Sequence, residues 1–389
     1  METKKQLEII KRGTVEIIQE AELKVKLEES AKEKRPLRVK VGFDPSAPDI
    51  HLGHTLLLRK MRQFQDLGHE VIFLIGDFTG RIGDPSGQDK MRKRLNEEEV
   101  KKNALTYKKQ VFKILDAQKT KVVFNSAWLG KMTSSGILDL ASYVTLAQIL
   151  ARQDFNQRYT QGKDISLLEF YYPLLQAYDS VHLKADIEIG GSDQKFNLLL
   201  GRELQKDFHI QPQVVIMLPL LEGTDGLQKM SKSYGNYIGI QESPAEMFGK
   251  IMSISDTLML KYYELLTDED LERIKQMHPK EAKLKLAEYI TTCYHGRDLA
   301  KKTQEDFQHV FSLRELPQDV PVYKLKEKGT EIIEILLDSG LTASRNEARR
   351  LIKQGGVSLD GARLDKEDIV VNKAGILKSG KRRFLKLIK

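Results

Sequence analysis

Cysteine is nearly absent, with a single residue, Cys293, among the 389. That excludes an internal disulfide and any zinc site built on several thiolates. Long apolar runs are missing as well. The longest, Val214 to Leu221, is broken by Pro219 and is far too short to cross a bilayer. Met1 to Arg35 is densely charged and carries no signal-peptide core. A cytoplasmic location with no membrane partner is therefore expected. Most of the chain also lacks any charge surplus. The formal charge is +8, and residues 341–389 hold 13 of the 63 Lys and Arg against 5 of the 55 Asp and Glu. All of the excess lies there, and the rest balances. A basic segment with its own apolar pattern is the footprint expected of a nucleic-acid partner.

The length exceeds one ordinary core, so two or three domains are expected. The stretch Leu37 to Gly87 sets the pattern. Leu37 to Phe43 reads as a buried strand, Thr55 to Leu67 as a helix stopped at Gly68, and Glu70 to Gly76 as a second buried strand. Strand, helix, strand at this spacing is a right-handed βαβ unit of a parallel sheet, whose ligands bind beyond the carboxyl ends of the strands. The turn Gly42 to His54 lies there, and the helix amides behind it favour an anion. His51 and His54 share one face of the first helical turn, with Gly53 between them allowing close approach. Taken alone, the pair reads equally well as two solvated histidines on a capped helix.

Further elements follow in order. The spacing predicts one helix over Lys4 to Glu33 interrupted at Gly13, then Glu97 to Leu115, Leu138 to Tyr159 and Ser166 to Asp179. Strands are predicted over Lys121 to Phe124, Asp186 to Ile189 and Val214 to Leu218. Tyr172, Gln176 and Asp179 fall on one helix face. Gly190-Gly191-Ser192-Asp193-Gln194 turns a strand into a helix, with Ser192 or Asp193 as its cap. Leu227 to Ser233 puts Lys229 and Lys232 three apart between glycines. By itself it reads as an exposed basic loop. Ala245 to Leu316 is helical, Pro317 to Pro321 a linker, and a last domain begins near Thr330. There Ser344 and Glu347 form a capping box, Arg345, Arg349 and Lys353 line one basic face, and Asp360-Gly361 marks a hairpin. Lys381 to Ile388 closes as a basic strand.

Together these pieces resemble a class I aminoacyl-tRNA synthetase. His51-Leu52-Gly53-His54 is similar to the family's first signature, with Ser46 in the approach to it. Lys229-Met230-Ser231-Lys232-Ser233 matches the second letter for letter. Their order and long separation, with Gly190 to Gln194 between, are far more specific than either motif. Within the class the whole chain resembles the bacterial tyrosyl-tRNA synthetases, through Gly42 to Pro45, Ile82 to Gly87, Leu175 to Asp179 and Ile189 to Gln194. The tail resembles the RNA-binding domain of the fourth small-subunit ribosomal protein.

The resemblance implies an α/β fold: a Rossmann-like parallel-sheet catalytic domain over residues 1–225, a mainly helical domain carrying the second signature over 226–325, and a small α+β RNA-binding domain over 326–389. It implies His51, His54, Lys229 and Lys232 as catalytic residues, and Asp44, Gly53, Gly191, Asp193 and Lys232 as the ATP site. Asp84, Tyr172, Gln176, Asp179 and Gln194 would bind tyrosine, and Arg345, Arg349, Arg350 and Lys353 would bind RNA. The implied substrates are L-tyrosine, a tyrosine tRNA and ATP with Mg2+. No permanent cofactor or protein metal site is implied, and a homodimer is. Two positions depart from the pattern. Lys40 stands where many members have tyrosine, and Glu188 where glutamine is common. With Lys195 they are similar to a second bacterial subgroup, and they leave open what besides Asp179 contacts the phenol. A tryptophanyl enzyme, a related nucleotidyltransferase and a non-catalytic RNA-binding scaffold are the rival readings.

Overall fold

Strand β2 (Arg38–Phe43) forms because its apolar residues have nowhere else to go: Val39, Val41 and Phe43 are all buried, as is Lys40 between them. In the computed structural model, residues 2–86, 95–312, 320–326, 329–380 and 383–388 are described. Gly87, the 317–319 part of the expected linker and Lys381-Arg382 lie outside them. Beside β2 run β3 (Glu70–Ile75) and β4 (Thr120–Phe124) on one side, and β5 (Ile187–Gly191) and β6 (Val214–Leu218) on the other. All four pairings are parallel. The order 4-3-2-5-6 reverses direction at β2 and β5, and a crevice opens at such a switch point, past the strands' carboxyl ends. The loop after β2 carries Asp44 and His51, the first turn of the helix that follows carries His54, and the turn after β5 carries Asp193 to that edge.

Two helical expectations are corrected. The N-terminal segment is not one interrupted helix but two, Thr3–Lys11 and Glu20–Glu33, with strand β1 (Glu16–Ile18) between them. β1 adds antiparallel to β6 at the sheet edge, a long-range pairing that outweighs the local helical spacing of Ile17 and Ile18. Leu138 to Tyr159 is likewise three short helices, Ser134–Ala141, Leu146–Leu150 and Gln153–Thr160. The break is enforced by Thr145, whose side chain accepts from the Gln148 amide while the Gln148 carboxamide accepts from Thr145. Such a cap contributes about 1 kcal/mol and starts a helix rather than continuing one. Nor do Ser192 and Asp193 cap the following helix. They form a short 3-10 turn, Ser192–Gln194, ahead of Lys195–Asp207.

The chain divides into two compact units, residues 1–243 with 253–286, and 244–252 with 287–389. Five helices between Pro244 and Ser312 fall partly in each. In the second unit a five-stranded sheet is ordered β10 (Ala362–Arg363), β9 (Val357–Leu359), β12 (Gly375–Ser379), β13 (Arg383–Ile388) and β7 (Val322–Lys324). Two short strands, β8 (Thr330–Glu331) and β11 (Val370–Val371), pair separately. Since β7 pairs with β13, this fold starts upstream of the expected boundary at 326. Its core is Ile332, Ile335 and Leu336 against Ile352, Leu377 and Leu385.

Candidate active site

His51 is the N-cap of the helix Leu52–Asp66, in extended conformation, and its backbone N–H donates to His54 Nδ1 at 3.2 Å. The rings stack with centroids 3.8 Å apart. Burial drives both imidazoles below their ordinary range, His54 to about 4, and the Lys232 ammonium nearby pushes the same way. Both are therefore neutral at pH 7. A Cβ on Gly53 would stand 3.0 Å from the His51 ring and 3.6 Å from Met230 Cβ, so only glycine fits without displacing the stack. Leu52 N–H is already bound by the Ile238 carbonyl, so the anion cradle expected from exposed helix amides is narrower than the sequence implied.

The second signature comes to the same edge. Lys232 Nζ donates to the Asp49 carbonyl at 2.7 Å and lies 3.8 Å from its carboxylate, while Lys229 Nζ meets Asp193 Oδ2 at 3.2 Å. Met230 is buried beneath Gly53, and Ser233 N–H donates to Ser231 Oγ. The loop is stapled by Asn236, which no sequence motif marks. Its carboxamide accepts from Ser231 N–H at 2.8 Å and donates to Asp225 Oδ2 at 2.9 Å and to the Lys229 carbonyl at 3.2 Å.

Behind the signatures lies a polar pocket. Asp44 accepts from Thr79 Oγ1 at 2.8 Å and from the Tyr172 hydroxyl at 3.0 Å. Burial pushes its carboxyl up to about 7 against those two hydrogen bonds. Asn125 donates to Thr79 Oγ1 at 3.0 Å and to Asp179 Oδ2 at 3.2 Å, and Trp128 Nε1 donates to Asp179 Oδ1 at 2.8 Å. One hydrogen-bonded chain thus joins Asp44 to Asp179. Desolvation raises Asp179 to about 7 as well, with Lys40 opposing it most strongly. On the other wall Gln194 Nε2 donates to Asp84 Oδ2 at 2.8 Å. Asn197 Nδ2 donates at 3.0 Å to the carboxamide oxygens of both Gln176 and Gln194. Arg152 donates to Asn197 Oδ1 at 3.2 Å and is itself held by both oxygens of Asp154.

The residues expected at one site, from Asp44 to Lys232, therefore all lie in one compact unit. Thr79, Asn125, Trp128, Arg152 and Asn197 were not foreseen. Trp128 left a signal, since it is the chain's one tryptophan and a buried indole N–H needs an acceptor. Ser46 is exposed beside the turn, its N–H on the Asp44 carbonyl at 2.7 Å. Gly191 ends β5 below Asp193. Arg345, Arg349, Arg350 and Lys353 lie in the second unit, exposed on the helix Arg345–Lys353. Arg349 and Lys353 pair with Glu367 at 3.3 and 3.2 Å. Among the described residues, no group of three or more His, Cys, Asp or Glu is arranged to hold a metal, and no helix is long and apolar enough to cross a membrane.

Residues 32–312 match the family described as tRNA synthetases class I (W and Y), and residues 312–385 match a tyrosine–tRNA ligase SYY-like C-terminal domain. The tyrosine–tRNA ligase of Carboxydothermus hydrogenoformans is 53% identical over 404 residues, covering 100% of this chain and 98% of its own. That of Aquifex aeolicus is 52% identical, covering 100% of each. Among solved structures, the tyrosyl-tRNA synthetase of Archaeoglobus fulgidus complexed with L-tyrosine is similar, with TM-score 0.64 and 26% identity over 78% of this chain and 100% of its own. The Pyrococcus horikoshii enzyme, at 19% identity and TM-score 0.61 over 81% of this chain and 99% of its own, speaks for the fold alone.

Proposed function

The chain belongs to the class I tyrosine–tRNA ligases, and from that premise we propose how its residues divide the work of joining tyrosine to tRNA. Tyrosine's carboxylate is ionised at neutral pH and needs no general base. Its oxygen attacks the α-phosphorus of ATP, and the bond to the β-phosphate's bridging oxygen breaks, so pyrophosphate leaves with the electron pair. What the protein supplies is alignment and compensation of the leaving charge. His51 and His54, neutral and stacked, donate to the phosphates, and Gly53 lies under the adenine. Lys229 leaves Asp193 free to take the ribose and, with Lys232, turns to the departing phosphates. Mg2+ arrives with ATP. Asp84, Tyr172, Gln176 and Gln194 hold the substrate's ammonium end, and Asp179 accepts from its phenol. A hydroxyl of the tRNA's terminal adenosine then attacks the acyl carbon of the adenylate, releasing AMP.

The observation that carries this reading is the approach of the two signatures. Lys232 meets Asp49, just ahead of His51, at 2.7 Å, and Met230 packs under Gly53. Exposed Leu138, Tyr143, Leu146, Tyr159 and Leu167, clustered in residues 134–167, support a homodimer, because that much apolar surface favours a second copy. The basic face of Arg345, Arg349, Arg350 and Lys353 supports RNA binding by a C-terminal part that starts at β7, after a catalytic part, 1–225, and a helical part between them. A cytoplasmic setting fits a lone exposed cysteine. ATP–pyrophosphate exchange with each of the twenty amino acids tests the reading. Tyrosine alone is expected to support exchange, and exchange with tryptophan, or with none, overturns it.

A further inference from the structure

The most buried charges in the catalytic sheet are not among the residues assigned above. Lys40 on β2 is 0% exposed and Glu188 on β5 is 2% exposed, and the two face each other in register across adjacent parallel strands. Lys40 Nζ lies 2.9 Å from Glu188 Oε1 and donates to Ser180 Oγ at 2.7 Å. Ser180 Oγ donates to Glu188 Oε2 at 2.8 Å, and Gln213 Nε2 donates to the same oxygen. A Cβ on Gly201 would come within 3.0 Å of Gln213 Nε2 and 3.5 Å of Glu188 Oε2, so the helix Lys195–Asp207 leaves room for this cluster and little more. Ser180 directly follows Asp179 on the helix Leu167–Leu183, so the cluster is bonded to the residue beside the phenol acceptor.

Two carboxylates in one dry pocket cannot both stay ionised without a cation to balance them. We propose that Lys40 and Glu188 are positioning residues whose buried pair keeps Asp179 a hydrogen-bond acceptor for the substrate phenol. The inference rests on Asp179 being that acceptor. The charges acting on Asp179 are Lys40 from β2, Glu188 from β5 and Asp44 at the end of β2. Neutral donors reach it from Trp128 and Asn125, and His182, one helical turn on, stacks on Trp128. Lys40 is the strongest force holding Asp179 down, and Glu188 pushes it up.

The test is the pH dependence of kcat/KM for tyrosine in exchange by the full-length enzyme. Lys40→Met removes the cation, so the acid limb set by Asp179 moves to higher pH, with a loss on the order of tenfold at pH 7 for each unit moved that closes as pH rises. Lys40→Met with Glu188→Gln removes both opposing forces and moves the limb less. Lys40→Arg keeps the charge and stays nearest the wild type. Profiles that coincide, or a Lys40→Met loss equal at every pH, overturn the inference. Should Lys40→Met not fold, Glu188→Gln decides: it removes the charge that pushes Asp179 up, so the limb moves to lower pH, and a wild-type limb there overturns the inference. Asp179→Asn separates the layers. If it leaves discrimination against phenylalanine intact, the assignment of Asp179 itself falls. If discrimination is lost while the Lys40 profiles stay unmoved, only the pair's role falls.

Discussion

Lys232 Nζ donates to the backbone carbonyl of Asp49 at 2.7 Å, which sets the last lysine of one signature against the residues leading into the other. The ammonium is thereby held close enough to lower the proton affinity of both imidazoles. Replacing Lys232 by Ala should slow adenylate formation on the order of a hundredfold, the usual effect of deleting one donor to a developing charge. Tyrosine affinity should stay within about twofold. Pre-steady-state fluorescence reports both quantities, and a defect confined to tyrosine binding contradicts the role.

Asn197 holds the carboxamide oxygens of Gln176 and Gln194. Asn197→Ala removes the donor from both carboxamide oxygens, leaving Gln194 held through Asp84. The expected result is a rise in KM for tyrosine of about tenfold, the value of roughly one well-placed hydrogen bond, with KM for ATP unchanged. Equal changes in both constants would mean a general loss of structure.

The stacked imidazoles fix the sign of an acid effect. Burial lowers His54 to about 4 from the ordinary 6.5, and His51 lies lower still. Their neutral forms therefore stabilise the folded state fully above pH 6.5, and this contribution is lost as pH falls toward 4. Thermal unfolding scanned from pH 7 to 4.5 should show Tm falling more steeply for the wild type than for the variant carrying His51→Asn and His54→Asn. Parallel slopes would show that the rings carry no such linkage.

Arg345 and Arg350 are exposed on a helix whose other basic residues, Arg349 and Lys353, pair with Glu367. Reversing both, Arg345→Glu with Arg350→Glu, should leave pyrophosphate exchange intact and raise KM for tRNA. The slope of log affinity against log salt should flatten by about one for each phosphate that is no longer neutralised. An unchanged salt slope would remove this face from RNA binding.

The strands of the central sheet were legible because each is a short apolar run between breakers, and the helix after β2 because Gly68 stops it. Strand β1 was not, since three residues with the spacing of their helical neighbours become a strand only through pairing with β6, about two hundred residues away in sequence. Thr145 and Gln148 did announce a helix start inside Leu138 to Tyr159, and longer-range periodicity masked it. At the site, the residues carrying charge in recognisable motifs could be read. Their orienting partners could not, because Asn125, Asn197 and Asn236 come from separate elements and acquire meaning only when the fold brings them near an acceptor. Lys40 and Glu188 lie between. Each reads only as a departure from the family pattern, because nothing but the register of β2 and β5 tells that they meet.

The lysine loop is tied down by backbone hydrogen bonds on both sides. Ile238 and Ile240 are bonded to Leu52 and Ile50 on its far side, and Met230 to Leu221 on its near side. A ribbon fastened at both margins cannot lift away like a flap. In the role proposed for them, its two ammonium groups would reach a departing pyrophosphate by side-chain swing and a local buckle, with the strands beneath keeping their register.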